Sequence, residues 1–283
     1  MNCRWLKVFL LLVGISVAAQ QSFQFSPVPE ERVWDRLAEV SGKNPEREQR
    51  LKALFTEAGC TQDHLAEVKV SGSKLPDLAC TMPGETDRVI VVGAHFDKVD
   101  RGEGIADNWS GAAMLPSLPE VISYGPRRHT YVFLGFTDEE KGLVGSEYYV
   151  RHMNKEQQQK VSAMVNLDTV GLAPAEVWAS HADKNLLRAP AIVAASMKLP
   201  ISGMNVDGVG SSDSESFRED KMPSLTIHSV TAKNLAILHS PKDTLAVMQR
   251  KDYEDTFRLM CGYLAYLDGY LDQPPPPATS TSK

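Results

Sequence analysis

The sequence has few cysteines and no basic stretch, and both absences narrow the range of functions. Four of the 283 residues are cysteine. No two of them form a Cys-x-x-Cys pair, so a thiolate metal site is not expected. The net charge is −6 with neutral histidines, and no segment is rich in lysine and arginine. This acidic balance argues against nucleic acid as the main partner.

The chain also lacks an apolar run long enough to cross a bilayer, which takes about 20 residues. Its longest run, VFLLLVGISVAA, follows Arg4 and Lys7 and ends in small residues. This pattern predicts a secretory signal peptide over residues 1–19, the alternative being a membrane anchor. After cleavage the protein would be secreted or periplasmic and would have no attachment to the membrane.

No internal repeat divides the remaining chain. We expect a linker over residues 20–29, one catalytic domain over 30–272, and a disordered Pro-rich tail over 273–283. Cys60 and Cys80 flank a short stretch and could pair in an oxidising compartment, although their spacing does not settle the geometry. Cys261 would then remain a free thiol.

Strands and helices alternate along this domain. The pattern predicts an α/β fold with a mostly parallel central sheet between two layers of helices. In such sheets, ligands bind at the carboxyl ends of the strands. The predicted strands are residues 77–82, 87–96, 130–136, 162–168, 176–180 and 224–230. The predicted helices are residues 30–42, 44–59, 110–125, 138–153, 185–198 and 252–271. Two prolines should kink or shorten the third of these helices.

Histidine and carboxylate side chains lie at the carboxyl ends of three predicted strands and in two loops. Singly, each has an ordinary structural explanation, such as a helix cap or a first-turn acid. Together, at one edge of a sheet, they indicate a metal site, because imidazole nitrogen and carboxylate oxygen suit zinc. The candidate ligands are His95, Asp107, Glu140, Asp168 and His239.

The charges of this set balance for two zinc ions. Four positive charges would meet three carboxylates and one bridging hydroxide, which gives a neutral pocket. Asp97 lies two residues after His95 and can accept its second ring N–H. Glu139 stands beside a ligand without needing to bind metal, so it is the candidate general base. The predicted chemistry is hydrolysis of an amide.

Five motifs, GAHFD, ADNWSG, DEEKGLVGS, NLD and HSPKDT, occur in this order. Together they resemble the co-catalytic dizinc aminopeptidases of the bacterial leucyl aminopeptidase type, which are related to the glutaminyl cyclases. The resemblance implies a bridging role for Asp107, with His95 and Asp168 divided between the two metals. Glu140 and His239 would be the remaining ligands. It also implies a cis peptide between Asp107 and Asn108.

The resemblance implies an enzyme that removes N-terminal residues from peptides, and the predicted signal peptide implies that this enzyme is exported. A metal-bridging hydroxide would attack the amide, with Glu139 as the base. No lid or dimerisation insert is present between Gly111 and His239, so a monomer is expected. Ser214 stands where the family commonly has histidine, which bears on substrate contacts. The segment 204–217 would be either a pocket wall or a flexible loop. Two alternatives stay open: a glutaminyl cyclase-like acyltransferase with one zinc, and a non-catalytic binding module.

Overall fold

The computed structural model describes residues 28–39, 42–61, 63–122, 126–208 and 210–271. The predicted signal peptide, nearly all of the predicted linker and the predicted tail lie outside these residues. Within the described ranges, no helix has the length and apolar character needed to span a bilayer.

The described strands form a single mixed sheet whose centre is parallel. The strand order is β1-β2-β4-β3-β5-β8-β6-β7. The four central strands, β4, β3, β5 and β8, run parallel, while β2 and β6 join them antiparallel. The predicted α/β class is therefore confirmed. The strands are β1 Leu65–Val68, β2 Asp77–Met82, β3 Val89–His95, β4 Thr130–Phe136, β5 Val161–Leu167, β6 Glu176–Val177, β7 Ser202–Gly203 and β8 Ser224–His228.

Helices cover both faces of this sheet, as the apolar strands require. Because successive side chains of a strand point to opposite faces, Ile90 and Val92 join the larger core cluster, while Val91 joins the smaller one on the other side. The helices are α1 Glu30–Ala38, α2 Asn44–Glu57, α3 Ser110–Met114, α4 Ser117–Ile122, α5 Val144–Arg151, α6 Lys155–Lys160, α7 Lys184–Met197, α8 Ser214–Glu219 and α9 Arg250–Tyr270.

Two predicted helices differ from the observed ones. The helix expected over residues 110–125 is divided into α3 and α4 around Pro116, whose ring cannot continue a helix. The helix expected over 138–153 starts only at Val144, because Asp138, Gly142 and Leu143 adopt left-handed backbone angles, with φ of 52°, 98° and 58°. The intervening residues Glu139–Lys141 form a 3₁₀ turn instead.

The predicted strands also needed correction at one edge of the sheet. The strand expected over residues 176–180 is reduced to the two residues of β6, followed by a 3₁₀ turn at Ala179–His181. Sequence reasoning missed β1, β7 and the short helices α6 and α8. The missed strands are the two outermost of the sheet and carry little apolar pattern.

Cys60 and Cys80 form a disulfide with a Cα–Cα distance of 6.0 Å. It joins the loop after α2 to β2, and both cysteines are buried. Cys261 is a buried free thiol. The bond therefore ties a helix of the larger core to the sheet.

Reduction of this disulfide is expected to lower the free energy of unfolding by about 3 kcal/mol, because the bridge closes a loop of moderate length. Urea unfolding with and without reductant measures the change. A double variant, Cys60→Ala with Cys80→Ala, should start at the lower stability and show no response to reductant. Equal midpoints for the oxidised and reduced wild-type chain would contradict the expectation.

Candidate active site

The predicted site residues meet at the carboxyl edge of the central strands. His95 is the last residue of β3, and Asp168 directly follows β5. Glu139 and Glu140 lie in the 3₁₀ turn just after β4. Because β3, β4 and β5 are parallel neighbours, their carboxyl ends lie at one edge and bring these side chains together.

Two loops complete the group. Asp107 lies between β3 and α3, and His239 lies between β8 and α9. The structure arranges the five candidate ligands as two triads that share Asp107. One triad is His95, Asp107 and Asp168, and the other is Asp107, Glu140 and His239.

The two oxygens of Asp107 face different histidines. Its Oδ1 lies 3.4 Å from His95 Nε2, and its Oδ2 lies 3.1 Å from His239 Nε2. Asp168 Oδ1 is 3.8 Å from His95 Nε2, while Glu140 Oε2 is 2.9 Å from His239 Nε2. A carboxylate in this position can bridge two cations.

The expected division of His95 and Asp168 between two metals is wrong. Both belong to the same triad, because β3 and β5 are adjacent strands and deliver their side chains to the same side of Asp107. Glu140 and His239 form the other side, which is the more open one, since 55% of the His239 side chain is exposed.

The electrostatics of the site favour cations. Burial opposes charge on His95, but the surrounding carboxylates, with Glu139 the strongest, raise the pKa of this imidazole well above its usual value. Hydrogen bonds to Asp107 and Glu140 raise the pKa of His239 to about 10. The cluster thus holds surplus negative charge, which protons or metal cations neutralise. Five imidazole and carboxylate ligands that share one central carboxylate fit a pair of zinc ions.

Glu139 is near the triads but belongs to neither of them. Its Oε2 lies 3.8 Å from His95 Nε2, and the side chain lines the same cavity. Burial raises the pKa of Glu139 to about 9, and the negative charges of Asp213 and Asp168 add to this effect. A carboxylate with such affinity for a proton suits proton transfer once nearby cations keep it ionised.

Asp97 contacts both His95 and the turn that carries the two glutamates. Its Oδ1 lies 3.4 Å from His95 Nδ1, and its carbonyl oxygen lies 3.3 Å from the same nitrogen. The carboxylate also accepts hydrogen bonds from the N–H groups of Glu139 at 3.0 Å and Glu140 at 3.2 Å. Asp97 therefore positions Glu139, the candidate base, and Glu140, a candidate ligand, as well as His95.

Asn108, the neighbour of Asp107 in the sequence, links the Asp107 loop to the backbone on either side of Asp168. Its side-chain amide donates to the carbonyl of Leu167 at 2.8 Å and accepts from the N–H of Thr169 at 3.0 Å, so it brackets Asp168 on both sides. The peptide between Asp107 and Asn108 is cis, as the resemblance implied.

Two further residues hold the Asp107 loop, and sequence reasoning assigned neither to the site. The Asp243 carboxylate accepts hydrogen bonds from the N–H groups of Ala106 at 2.7 Å and Asp107 at 3.1 Å. Arg47 is fully buried and donates to the carbonyls of Phe96, Glu103 and Gly104. Asp243 lies in the HSPKDT motif and could have been identified there. No motif in the sequence of α2 marks Arg47 as a residue that supports the site.

A cavity of about 420 Å³ opens in front of the triads. Val206, Gly210, Ser211 and Ser212 contribute to it, so the segment 204–217 does form a wall. Ser214 is buried behind this wall with its hydroxyl 2.7 Å from Thr226 Oγ1. The rest of the cavity is mainly apolar and includes Trp178, Val230, Leu235 and Leu238.

His228 also lines the cavity, although sequence reasoning overlooked it at the end of a predicted strand. Its Nε2 is 3.2 Å from the carbonyl of Met204, and its Nδ1 accepts from the N–H of Val230 at 3.1 Å. Burial lowers the pKa of His228. Because both ring nitrogens are engaged by backbone groups, His228 forms part of the cavity wall and is not a candidate metal ligand.

Comparison with solved structures defines the class of fold. The aminopeptidase LapA of Legionella pneumophila is 22% identical, with a TM-score of 0.71 over 84% of this chain and 72% of that chain. A glutaminyl cyclase of an Acidobacteriales bacterium is 15% identical, with a TM-score of 0.73 over 87% of this chain and 99% of that chain. At these identities the likeness establishes the fold alone, which this chain shares with both enzymes.

Sequence comparison gives the family. The family model of Peptidase family M28 matches residues 77–264, more than half of the chain, so this chain belongs to that family. An aminopeptidase of Pseudomonas aeruginosa is 36% identical over 94 residues. That alignment covers 33% of this chain and 18% of the relative, so the chain spans about a fifth of the length of the curated protein it matches.

Proposed function

We propose that this protein is an exported zinc aminopeptidase that removes single residues from the free N-terminus of peptides. The observation that carries the proposal is the pair of triads sharing Asp107, with Glu139 beside them. Membership of peptidase family M28 supports it. The buried disulfide and the signal-like N-terminus support export.

In this proposal His95, Asp107 and Asp168 would hold one zinc ion, and Asp107, Glu140 and His239 would hold the other. Bound zinc would polarise the scissile carbonyl and lower the pKa of the attacking water. Glu139 would accept a proton from that water and return it to the nitrogen of the leaving amine. One water is consumed for each bond broken.

The charge and the apolar walls of the cavity support a peptide with a free N-terminus as the substrate. A free α-amino group is positively charged and would be attracted to the carboxylates at the cavity floor. The apolar walls, which include Trp178 and Leu238, would surround the first side chain of the peptide. Arg47 and Asp243 would keep the loops that carry the ligands in place.

The test is hydrolysis of a panel of aminoacyl p-nitroanilides by purified protein. Treatment with a chelator should abolish release of p-nitroaniline, and added zinc should restore it. N-acetylated versions of the same amides are the matched control and should not be cleaved. Failure of zinc-loaded, folded protein to cleave any aminoacyl amide would refute the proposal. Conversion of N-terminal glutamine to pyroglutamate with one bound zinc would identify a cyclase instead.

A further inference from the structure

The carboxylate of Asp207 accepts hydrogen bonds from three side chains of the segment that follows β6. Trp178 Nε1 lies 3.2 Å from its Oδ1, and His181 Nε2 lies 3.1 Å from the same oxygen. The hydroxyl of Ser180 is 3.0 Å from both Oδ1 and Oδ2. Asp207 itself lies in the loop between β7 and α8. One carboxylate therefore joins two segments that are distant in the sequence.

The direction of these hydrogen bonds follows from the groups themselves. An indole nitrogen only donates, and an ionised carboxylate only accepts. The hydroxyl of Ser180 also accepts from the Trp178 N–H at 3.1 Å, so its single hydrogen points to Asp207. His181 must carry a hydrogen on Nε2 to bond to the same carboxylate. Removal of the carboxylate would leave three donors without their charged acceptor.

Trp178 is the residue that these contacts hold in the cavity wall. It is buried and lines the cavity in front of the triads. The imidazole ring of His181 stacks on the indole, with ring centroids 4.2 Å apart and planes inclined by 15°. The indole thus has its N–H bonded and its ring stacked, so its orientation is defined. The shape of the cavity beside it is defined as well.

The same contacts hold a second wall residue, Val206, which also lines the cavity. Its two neighbours in the sequence both bond to Ser180. The backbone N–H of Ser180 donates to Asn205 Oδ1 at 2.9 Å, and its hydroxyl donates to Asp207. Asn205 and Asp207 therefore hold the loop that carries Val206 against the segment that carries Trp178.

We propose that Asp207 is a positioning residue for substrate selectivity, which fixes Trp178 and Val206 so that the cavity distinguishes large from small apolar side chains on the first residue of a peptide. The inference rests on the proposed function, because it places that side chain between the apolar walls. An apolar pocket distinguishes side chains that differ by one methylene by about 10- to 200-fold. Asp207 belongs to neither triad, so its loss should alter selectivity and spare the chemical step.

Kinetics of three variants on leucyl and alanyl p-nitroanilides test this role. Asp207→Ala removes the acceptor, whereas Asp207→Asn keeps one oxygen that can accept all three hydrogen bonds. Asp220→Ala is the matched control, because Asp220 is an exposed acid outside the cavity lining. The values of kcat and KM are measured separately for each substrate. Thermal unfolding of each variant checks that it is folded.

Fluorescence reports on the cavity wall without any catalysis. Each protein is compared with a second version that also carries Trp178→Phe, so the difference between the two emission spectra belongs to Trp178. Acrylamide quenching of this difference measures how accessible the indole is. Quenching should be stronger in Asp207→Ala than in the wild type, because loss of the carboxylate releases the indole N–H and the stacked ring of His181.

In Asp207→Ala the ratio of kcat/KM for the leucyl substrate to that for the alanyl substrate should fall about tenfold, through a higher KM for the leucyl substrate. Asp207→Asn and Asp220→Ala should keep this ratio within about threefold of the wild type. An unchanged ratio in Asp207→Ala would overturn the inference, and so would an equal loss on both substrates or unchanged quenching of Trp178. A wild-type protein that cleaves no aminoacyl amide would refute the proposed function itself, so the two failures are distinguishable.

Discussion

Replacing Glu139 with glutamine is expected to lower kcat on aminoacyl amides by about 10²- to 10⁴-fold, while the two zinc ions of the proposed function stay bound. Glutamine preserves the size of the side chain but cannot accept the proton of the attacking water. Glu139 belongs to neither triad, so metal binding should survive. Steady-state kinetics and zinc analysis of the same preparation measure the two quantities.

The pH dependence gives a second measurement of the same role. A base must be ionised to act, so wild-type kcat should fall as the pH decreases through the pKa of Glu139 in the zinc-loaded enzyme. This decrease in kcat at low pH should be absent from the residual activity of Glu139→Gln. The comparison variant is Glu140→Gln, which alters a triad member and should lose zinc. Wild-type turnover in Glu139→Gln, or loss of its zinc, would contradict the assignment.

Removing Asp107 is expected to weaken both zinc sites at once, because each of its oxygens faces a different histidine. In Asp107→Ala each triad loses its shared member, and no carboxylate would remain between the two zinc ions of the proposed function. Zinc affinity should fall by more than about 100-fold, since even loss of an outer partner costs about 10- to 100-fold. Activity should fall with it. Zinc titration and elemental analysis after dialysis measure the loss.

Two variants provide the controls for this prediction. His239→Ala alters only the more open triad, so it should keep one tightly bound ion. Asp100→Ala removes an exposed acid from the same inter-element segment and should bind two ions as the wild type does. Retention of two tight ions by Asp107→Ala would show that Asp107 does not bridge them.

The candidate site could be predicted from sequence because it depends on a simple rule of parallel sheets. Buried apolar runs mark β3, β4 and β5, and the polar residue after each run must lie at the carboxyl edge. His95, Glu140 and Asp168 follow from this rule. The same rule applied to the end of β8 would have found His228, which lines the cavity.

Other features depend on contacts between residues distant in the sequence. Arg47 lies in a helix with ordinary helical spacing, yet its guanidinium reaches backbone carbonyls 49 to 57 positions away. The start of α5 is set by left-handed residues in the preceding turn, where Asp97 holds the N–H groups of Glu139 and Glu140. Helix propensity depends on neighbouring residues and does not include such distant contacts. The predicted helix therefore began at residue 138, whereas α5 begins at Val144.

Apolar periodicity and local motifs were enough to predict the class of fold, the family and the kinds of candidate ligand atom. The sequence did not show which candidate ligands share a triad, that Asp107 faces both histidines, or that Ser212 donates to one oxygen of Asp168. Hydrogen bonds and ligand geometry depend on distances of a few ångströms between loops, and the order of residues along the chain leaves these distances open.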